Sequence, residues 1–285
     1  MVVQLTASLL DGLLLGAIYG MAAMGLNLIW GVMSVINLSH GAMMTLGMFG
    51  AYALFTYAGI NPYLALPLIA IGGCLFGFGM YWIAVHRVIN APHLASLLST
   101  FAVNMVIIGA GTTLFTASPR NIDYSIGSLH IGPIILQGTR LVAAGIAVLM
   151  AAALFVFLNR TFLGKKIRAV ANNRAAAELM GIPSTKVLAI SFGIGTMLAS
   201  VAGFLISTIF PFTIYSGGSY EPKSFVICVL GGLGNPMGAL IGGLILGALE
   251  GAIPAFLPVG WVPVLEFALF VAILVVRPTG LFGSK

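Results

Sequence analysis

Long apolar runs separated by short polar punctuation make up almost the whole chain. The first, Leu5–Trp30, is long enough at a rise of about 1.5 Å per residue to cross the roughly 30 Å hydrocarbon core of a bilayer. Ile36–Tyr57 follows almost at once, then Tyr63–Val85, Leu94–Thr116, Leu141–Leu158 and Val187–Phe210. Ser224–Ile253 is apolar but interrupted by GGLGNPMG at 231–238, and Val262–Val276 is the last run, short for a span. A helix meeting GGLGNPMG should break there, because Pro236 lacks a donor and four glycines resist helix formation. The pattern predicts an all-α polytopic membrane protein of about eight transmembrane helices, some of them broken.

The polar punctuation carries the rest of the prediction. Gly59-Ile60-Asn61-Pro62 reads as a tight turn, and His86-Arg87 with Ala91-Pro92-His93 as a loop. Ser118–Thr139 is the longest polar loop, and PFTIYSGGSYEPK at 211–223 is a second one, whose prolines and glycines argue against a regular helix. Between the first two spans, WGVMSVINLSHG clusters Asn37, Ser39 and His40 beside Gly31 and Gly41. Polar groups at membrane depth face protein or a cavity, because lipid cannot hydrogen-bond them. A tight turn at the membrane interface is the other reading of that cluster. Asn104 inside the fourth span reads as a bond to a neighbouring helix.

Composition agrees and adds a side. Of 285 residues, 60% are hydrophobic and 6% charged, against about a quarter charged in soluble domains. The net charge of +6 is then a topology signal, with no nucleic-acid partner implied, since short cytoplasmic loops collect Lys and Arg. No Lys or Arg precedes Arg87, so the first run lacks the basic flank of a cleaved signal peptide and is expected to stay as a span. The 37 glycines, well above the roughly 7% average, suit close helix packing in lipid. Cys74 and Cys228 sit in apolar runs and read as packing residues, with no metal-ligand spacing near them.

Six of the twelve basic residues fall in 160–186: Arg160, Lys165, Lys166, Arg168, Arg174 and Lys186. One span separates Arg87 from the 118–139 loop and another separates that loop from this segment, which puts the segment on the side of Arg87, the cytoplasmic one. Lys165–Met180 reads as one helix of about four turns, ended by Gly181 and Pro183, with Ile167, Val170, Ala171 and Leu179 near one face. Arg174 and Glu178 are four apart and can pair. Ser184 or Thr185 can cap the span that follows. Such a helix could lie on anionic lipid, but its small, alanine-rich face suits docking into a protein groove. Counting spans leaves one inconsistency. Eight crossings from an outside N-terminus end outside, whereas Arg277 and Lys285 argue for inside, unless 224–253 crosses more than once.

Four stretches in order resemble one family. GAIYGMAAMGLNLIWGVMSVINLSHGAMMTLGMFGAY (16–52), GKKIRAVANNRAAAELMGIP (164–183), VLGGLGNPMGALIGGLILGALEG (229–251) and RPTGLFG (277–283) are similar to permeases of branched-chain amino acid ABC importers, and to the shorter of the paired permeases. The resemblance implies one transmembrane permease domain over 1–285 in the bacterial inner membrane. It implies four kinds of partner: a second homologous permease, two ATPase subunits that bind ATP and Mg, a periplasmic solute-binding protein, and the bilayer. Residues 164–182 would be the cytoplasmic coupling segment, with Gly164, Lys165, Arg168, Ala169, Asn172, Glu178, Gly181 and Ile182 meeting an ATPase. Transport by alternating access would be driven from those subunits, and the permease itself would be no enzyme. Related permeases carry leucine, isoleucine and valine, while others take urea, short amides or other small organic solutes.

The residues exclude more than they assign. Gly164-Lys165 has neither a glycine-rich loop before it nor Ser or Thr after it, so the chain holds no phosphate-binding loop and no cofactor of its own is expected. No HExxH, GxSxG or paired catalytic carboxylates occur. The acids Glu250 and Glu266 lie inside apolar runs, where a proton-coupled secondary transporter would use them as a relay and a permease would use them to bond helices. A facilitator independent of ATP is the other class. For a zwitterion, exposed amides and carbonyls at helix breaks supply complementary partial charges. The breaks at 31–41 and 231–238 are where this chain could do that, making Asn37, Ser39, His40, Asn235 and Glu250 the candidate path residues.

Overall fold

The computed structural model describes residues 2–277 and 279–283. Eleven helices follow in order: α1 (Val2–Met33), α2 (His40–Ala58), α3 (Pro62–Met80), α4 (His93–Phe115), α5 (Gly138–Arg160), α6 (Phe162–Asn172), α7 (Arg174–Leu179), α8 (Ser184–Ser207), α9 (Gly217–Gly231), α10 (Pro236–Ala252) and α11 (Trp261–Val276). A π-helical turn, Tyr81–Val85, continues α3. Six segments are long and apolar enough to cross a membrane: α1, α3 with its π-turn, α4, α5, α8, and α10 extended to Ala255. This is a polytopic helical membrane protein, as the apolar runs require, because only internally bonded backbone is tolerated in lipid.

α1 and α8 form the buried centre, with α2, α3, α9 and α10 packed on them and α4, α5 and α11 at the periphery. Glycines set the closest approaches. Gly12 and Gly16 of α1 lie against the backbone of Gly243, Gly247 and Gly251 of α10, and Gly47 of α2 lies on the Ser200 carbonyl of α8. Without a hydrophobic driving force between helices in lipid, such backbone proximity is what holds them.

Four departures from the sequence reading have local causes. The 118–139 loop contains an antiparallel hairpin, β1 (Ser128–Ile131) with β2 (Ile134–Gln137), in register Ser128↔Gln137. The 211–223 segment is not wholly irregular, since α9 starts at Gly217 and runs through Pro222, close enough to the helix start to lose few backbone bonds. The basic segment is two helices, parted at Asn173 (φ −156°, ψ 103°). Its Asn173 side chain accepts from the Ala176 amide at 2.9 Å and so caps α7. Finally, the following span begins on Pro183 with no side-chain cap, and the Ser184 hydroxyl donates to Glu178.

The GGLGNPMG break is present, with Gly232 and Gly234 at φ +94° and +84°. Pro236 starts α10, where its missing donor costs nothing. α9 and α10 thus fold back on each other as separate helices. The loops at 120 and 212 meet at one end of the bundle, where the Arg120 and Phe212 backbones exchange bonds of 2.8 and 2.9 Å.

Candidate functional site

The basic segment is clamped at its start. The Thr161 side chain accepts from the Gly164 amide at 3.0 Å, and a methyl group at Gly164 would collide with Phe157 and Leu158, so glycine permits the sharp α5–α6 turn. Ile167, Val170 and Ala177 are buried against the bundle. Lys165, Arg168, Asn172, Glu178 and Gly181 are exposed, while Ala169 and Ile182 are half-buried. Ala171 on α6 and Leu179 on α7 are both exposed and do not join the buried face they were expected to share, Leu179 lying beyond the break at Asn173. Leu179 and Met180 end at 90% and 82% exposure, an apolar tip that the single-helix reading concealed.

The α7–α8 junction is polar and local. Arg174 pairs with Glu178 at 3.1 Å, and Glu178 accepts from Ser184. The Ser184 hydrogen bond, then that of Arg174, holds the Glu178 carboxyl below its ordinary range. Gly181 follows at φ +79°, a left-handed turn that glycine adopts freely.

α6 lies beside the α9–α10 break. A cavity of about 260 Å³ is lined by Arg168 and Ile167 of α6, Asn27 and Gly31 of α1, and Gly234 and Asn235 of the break. Asn27, which sequence reasoning passed over, is fully buried. Its amide donates to the Gly232 and Asn235 carbonyls, both at 3.0 Å, while its carbonyl accepts from the Gly234 amide. Asn235 is occupied too: it accepts from Gly238 at 3.1 Å as the α10 cap and donates to Phe282 at 3.1 Å. The structure therefore brings Asn235 together with Arg168 and not with the other path candidates.

Those candidates form a second site. Residues 34–39 are non-helical, and Asn37, Ser39 and His40 are fully buried. Asn37 accepts from the Ser39 amide and hydroxyl at 3.2 and 2.6 Å. The Thr100 hydroxyl of α4 accepts from Leu38 at 3.2 Å. A cavity of about 350 Å³ adjoins this stretch, lined by Trp30, Ser34, Ile36, His93, Ser96 and Leu97. WGVMSVINLSHG thus carries features of both readings, its polar groups buried in protein and Asn37 bonded locally to Ser39.

Glu250 belongs to a third cluster. Lys223 of α9 lies 2.9 Å from Glu250 and 3.5 Å from Glu266, with its ammonium 5.2 Å from the Tyr19 ring. Reading 211–223 as a loop hid this lysine as the partner of both acids. Among the described residues no group of three or more His, Cys, Asp or Glu is arranged to hold a metal.

Comparison with known proteins gives a consistent result. Residues 8–275 match the family described as branched-chain amino acid transport system / permease component. The high-affinity branched-chain amino acid transport system permease protein LivH of Salmonella typhimurium is 30% identical, over 96% of this chain and 94% of its own length. BraD of Pseudomonas aeruginosa, of the same description, is 27% identical over 96% and 94%. A probable branched-chain amino acid transport permease protein LivH of Methanocaldococcus jannaschii is 27% identical over 92% and 87%.

Proposed function

The chain belongs to the branched-chain amino acid transport system permease family, and from that premise we propose that it is the shorter of two paired permeases of an ABC importer in the bacterial inner membrane. Its solutes are leucine, isoleucine, valine or close analogues, delivered by a periplasmic binding protein. Two ATPase subunits bind ATP and Mg and drive alternating access, and this chain carries no catalytic group.

Residues 164–182 are the coupling segment within a single transmembrane domain. One observation carries this: α6 lines the same cavity as the α9–α10 break, through Arg168 and Asn235. A push on the exposed Lys165, Arg168, Asn172 and the Leu179–Met180 tip therefore reaches a break in the bundle within one layer of side chains. Interlocked packing transmits such displacements as shifts between discrete arrangements. Counting α2, α9 and α11 with the six longer spans gives nine passes. On that count Arg277 would lie on the side of Arg87 and the coupling segment, in keeping with its charge.

The solute path includes Asn37, Ser39 and His40. The Lys223–Glu250–Glu266 cluster serves to hold α9, α10 and α11 together, since one ammonium bridges carboxylates from the two other helices. Uptake of labelled leucine by vesicles containing the assembled transporter tests the reading. It should stop without ATP or without the binding protein, whereas dependence on a pH gradient in place of ATP would favour a secondary transporter. Arg168→Glu combined with Gly181→Leu should release the ATPase subunits while the spans remain folded. Normal co-purification and uptake in that variant would refute the coupling assignment.

A further inference from the structure

Several of the buried polar groups that the fold leaves without partners lie near one another at the end of α1 and the end of α3. The Asn37 side-chain amide and the Tyr81 hydroxyl have no hydrogen-bond partner, and both residues, like the neighbouring His40, are fully buried. Burying such groups unpaired is costly, so few persist without a role. They lie on two facing segments joined by one polar contact, in which the Ser39 hydroxyl meets the Met80 sulfur at 3.6 Å.

Both segments depart from regular helix. Ser34 ends α1 with φ +51°, a left-handed conformation that a non-glycine residue adopts at a cost. Residues 34–39 then run without internal helical bonds, tied mainly by Thr100. Opposite, α3 slips into the π-turn Tyr81–Val85, closed by the His86 amide on the Tyr81 carbonyl at 2.7 Å. Single π-turns inside α-helices occur frequently at functional sites. The 350 Å³ cavity against Ser34 and Ile36 lies next to the same segment.

We infer that Ser34–Ser39 and the π-turn Tyr81–Val85 are the two leaves of the cytoplasmic gate of the solute path, shut in this structure, and that parting the Ser39–Met80 contact hydrates Asn37, His40 and Tyr81. The inference rests on the reading of Asn37–His40 as path residues. It accounts for polar groups that have no partner here, because water or solute satisfies them in the open state. It also assigns Tyr81 and Met80, which no motif singled out.

The test uses the complete transporter in proteoliposomes, in a background with Cys74→Ala and Cys228→Ala. Asn37→Cys and Tyr81→Cys should react with a membrane-impermeant thiosulfonate from the cytoplasmic face in one nucleotide state, and be protected in the other when vanadate traps the ATPase. Equal reaction in both states, meaning a static wet pocket, would overturn the gate, and so would no reaction in either. Independently, oxidation of Ser39→Cys/Met80→Cys should arrest leucine uptake relative to the same reduced protein, with recovery on adding reductant. Uptake that continues with the disulfide verified by mass spectrometry would overturn the proposal. The path reading has its own readout: Asn37→Leu should lose uptake. If it does while Asn37→Cys and Tyr81→Cys stay unreactive, the path stands and the gate is wrong; if uptake is unaffected, the path reading itself falls.

Discussion

Asn173 accepts from the Ala176 amide while its own backbone is extended, and this one residue makes the proposed coupling segment angular. Asn173→Ala removes the cap, which is worth about 1 kcal/mol, and lets α6 continue into α7. The expected outcome is retained assembly with reduced uptake per ATP hydrolysed, measured as the ratio of the two rates in proteoliposomes. Glu178, five residues on, makes the same corner pH-sensitive. Its folded carboxyl titrates below the ordinary range because Ser184 and Arg174 bond to its charged form. The stabilisation is therefore present above the unfolded carboxylate range and is lost as pH falls through the depressed folded value. Protection of the 174–184 amides, taken relative to intrinsic exchange at each pH, should fall in acid, and Glu178→Gln should flatten that dependence. Lys223 is the residue whose loss ought to be felt most. With it gone, two carboxylates remain unpaired, one of them on the buried Glu266, and breaking a buried pair typically costs about 3–5 kcal/mol. Lys223→Met should lower the melting temperature in detergent markedly, while Lys223→Met/Glu250→Gln/Glu266→Gln should recover much of the loss.

At the scale of elements, the α1–α10 contact is the most extensive in the bundle and is lined by backbone on both sides. A side chain on Gly243 or Gly247 would run into the backbone of Gly20, Gly16 and Gly12, and backbone cannot retreat as a flexible side chain can. Gly247→Leu should abolish accumulation of folded protein, whereas Gly145→Ala on α5, where nothing lies within reach of an added methyl, should leave it unchanged. Both would be read from monodisperse yield on size exclusion. Spacing of four in Gly12, Gly16 and Gly20, and again in Gly243, Gly247 and Gly251, could have paired these helices from sequence alone. The spans themselves were legible because lipid imposes length and apolarity on each. The GGLGNPMG break was legible because proline and glycine act locally. The split at Asn173 was not, since an asparagine in an exposed alanine-rich run is tolerated mid-helix and caps only when tertiary packing turns the chain. Nor was the Lys223 site. Pro222 and two glycines suggested a loop, and only the fold-back of α9 on α10 carries the lysine to Glu250, 27 positions away.

For the whole molecule, the side on which each end of the bundle lies decides whether the coupling segment can reach an ATPase. Arg120 and Phe212 join two loops at one end, together with the 128–137 hairpin that precedes α5. The opposite end collects α6, α7, the α9–α10 break and the 279–283 segment, where Gly280 and Gly283 touch Gly232; Lys285, used earlier to argue for that side, lies outside the described residues. The proposed nine passes would put the first end outside and the second in the cytoplasm, in keeping with the excess of Lys and Arg at 160–186. A reagent confined to one face distinguishes this arrangement from eight passes. In a background with Cys74→Ala and Cys228→Ala, Ser128→Cys should react with impermeant maleimide added to intact spheroplasts. Leu179→Cys, at the exposed tip, should react only in inverted vesicles, and Val276→Cys at the end of α11 should behave like Leu179→Cys. Reaction of Val276→Cys from outside would restore the eight-pass count and remove the basis for placing α9 and α10 as two separate crossings. If the exposed Leu179 tip belongs to the proposed coupling surface, adding the ATPase subunits should also shield that position and leave Ser128→Cys and Val276→Cys unshielded. Such selective protection would tie the topology to the partner in one measurement.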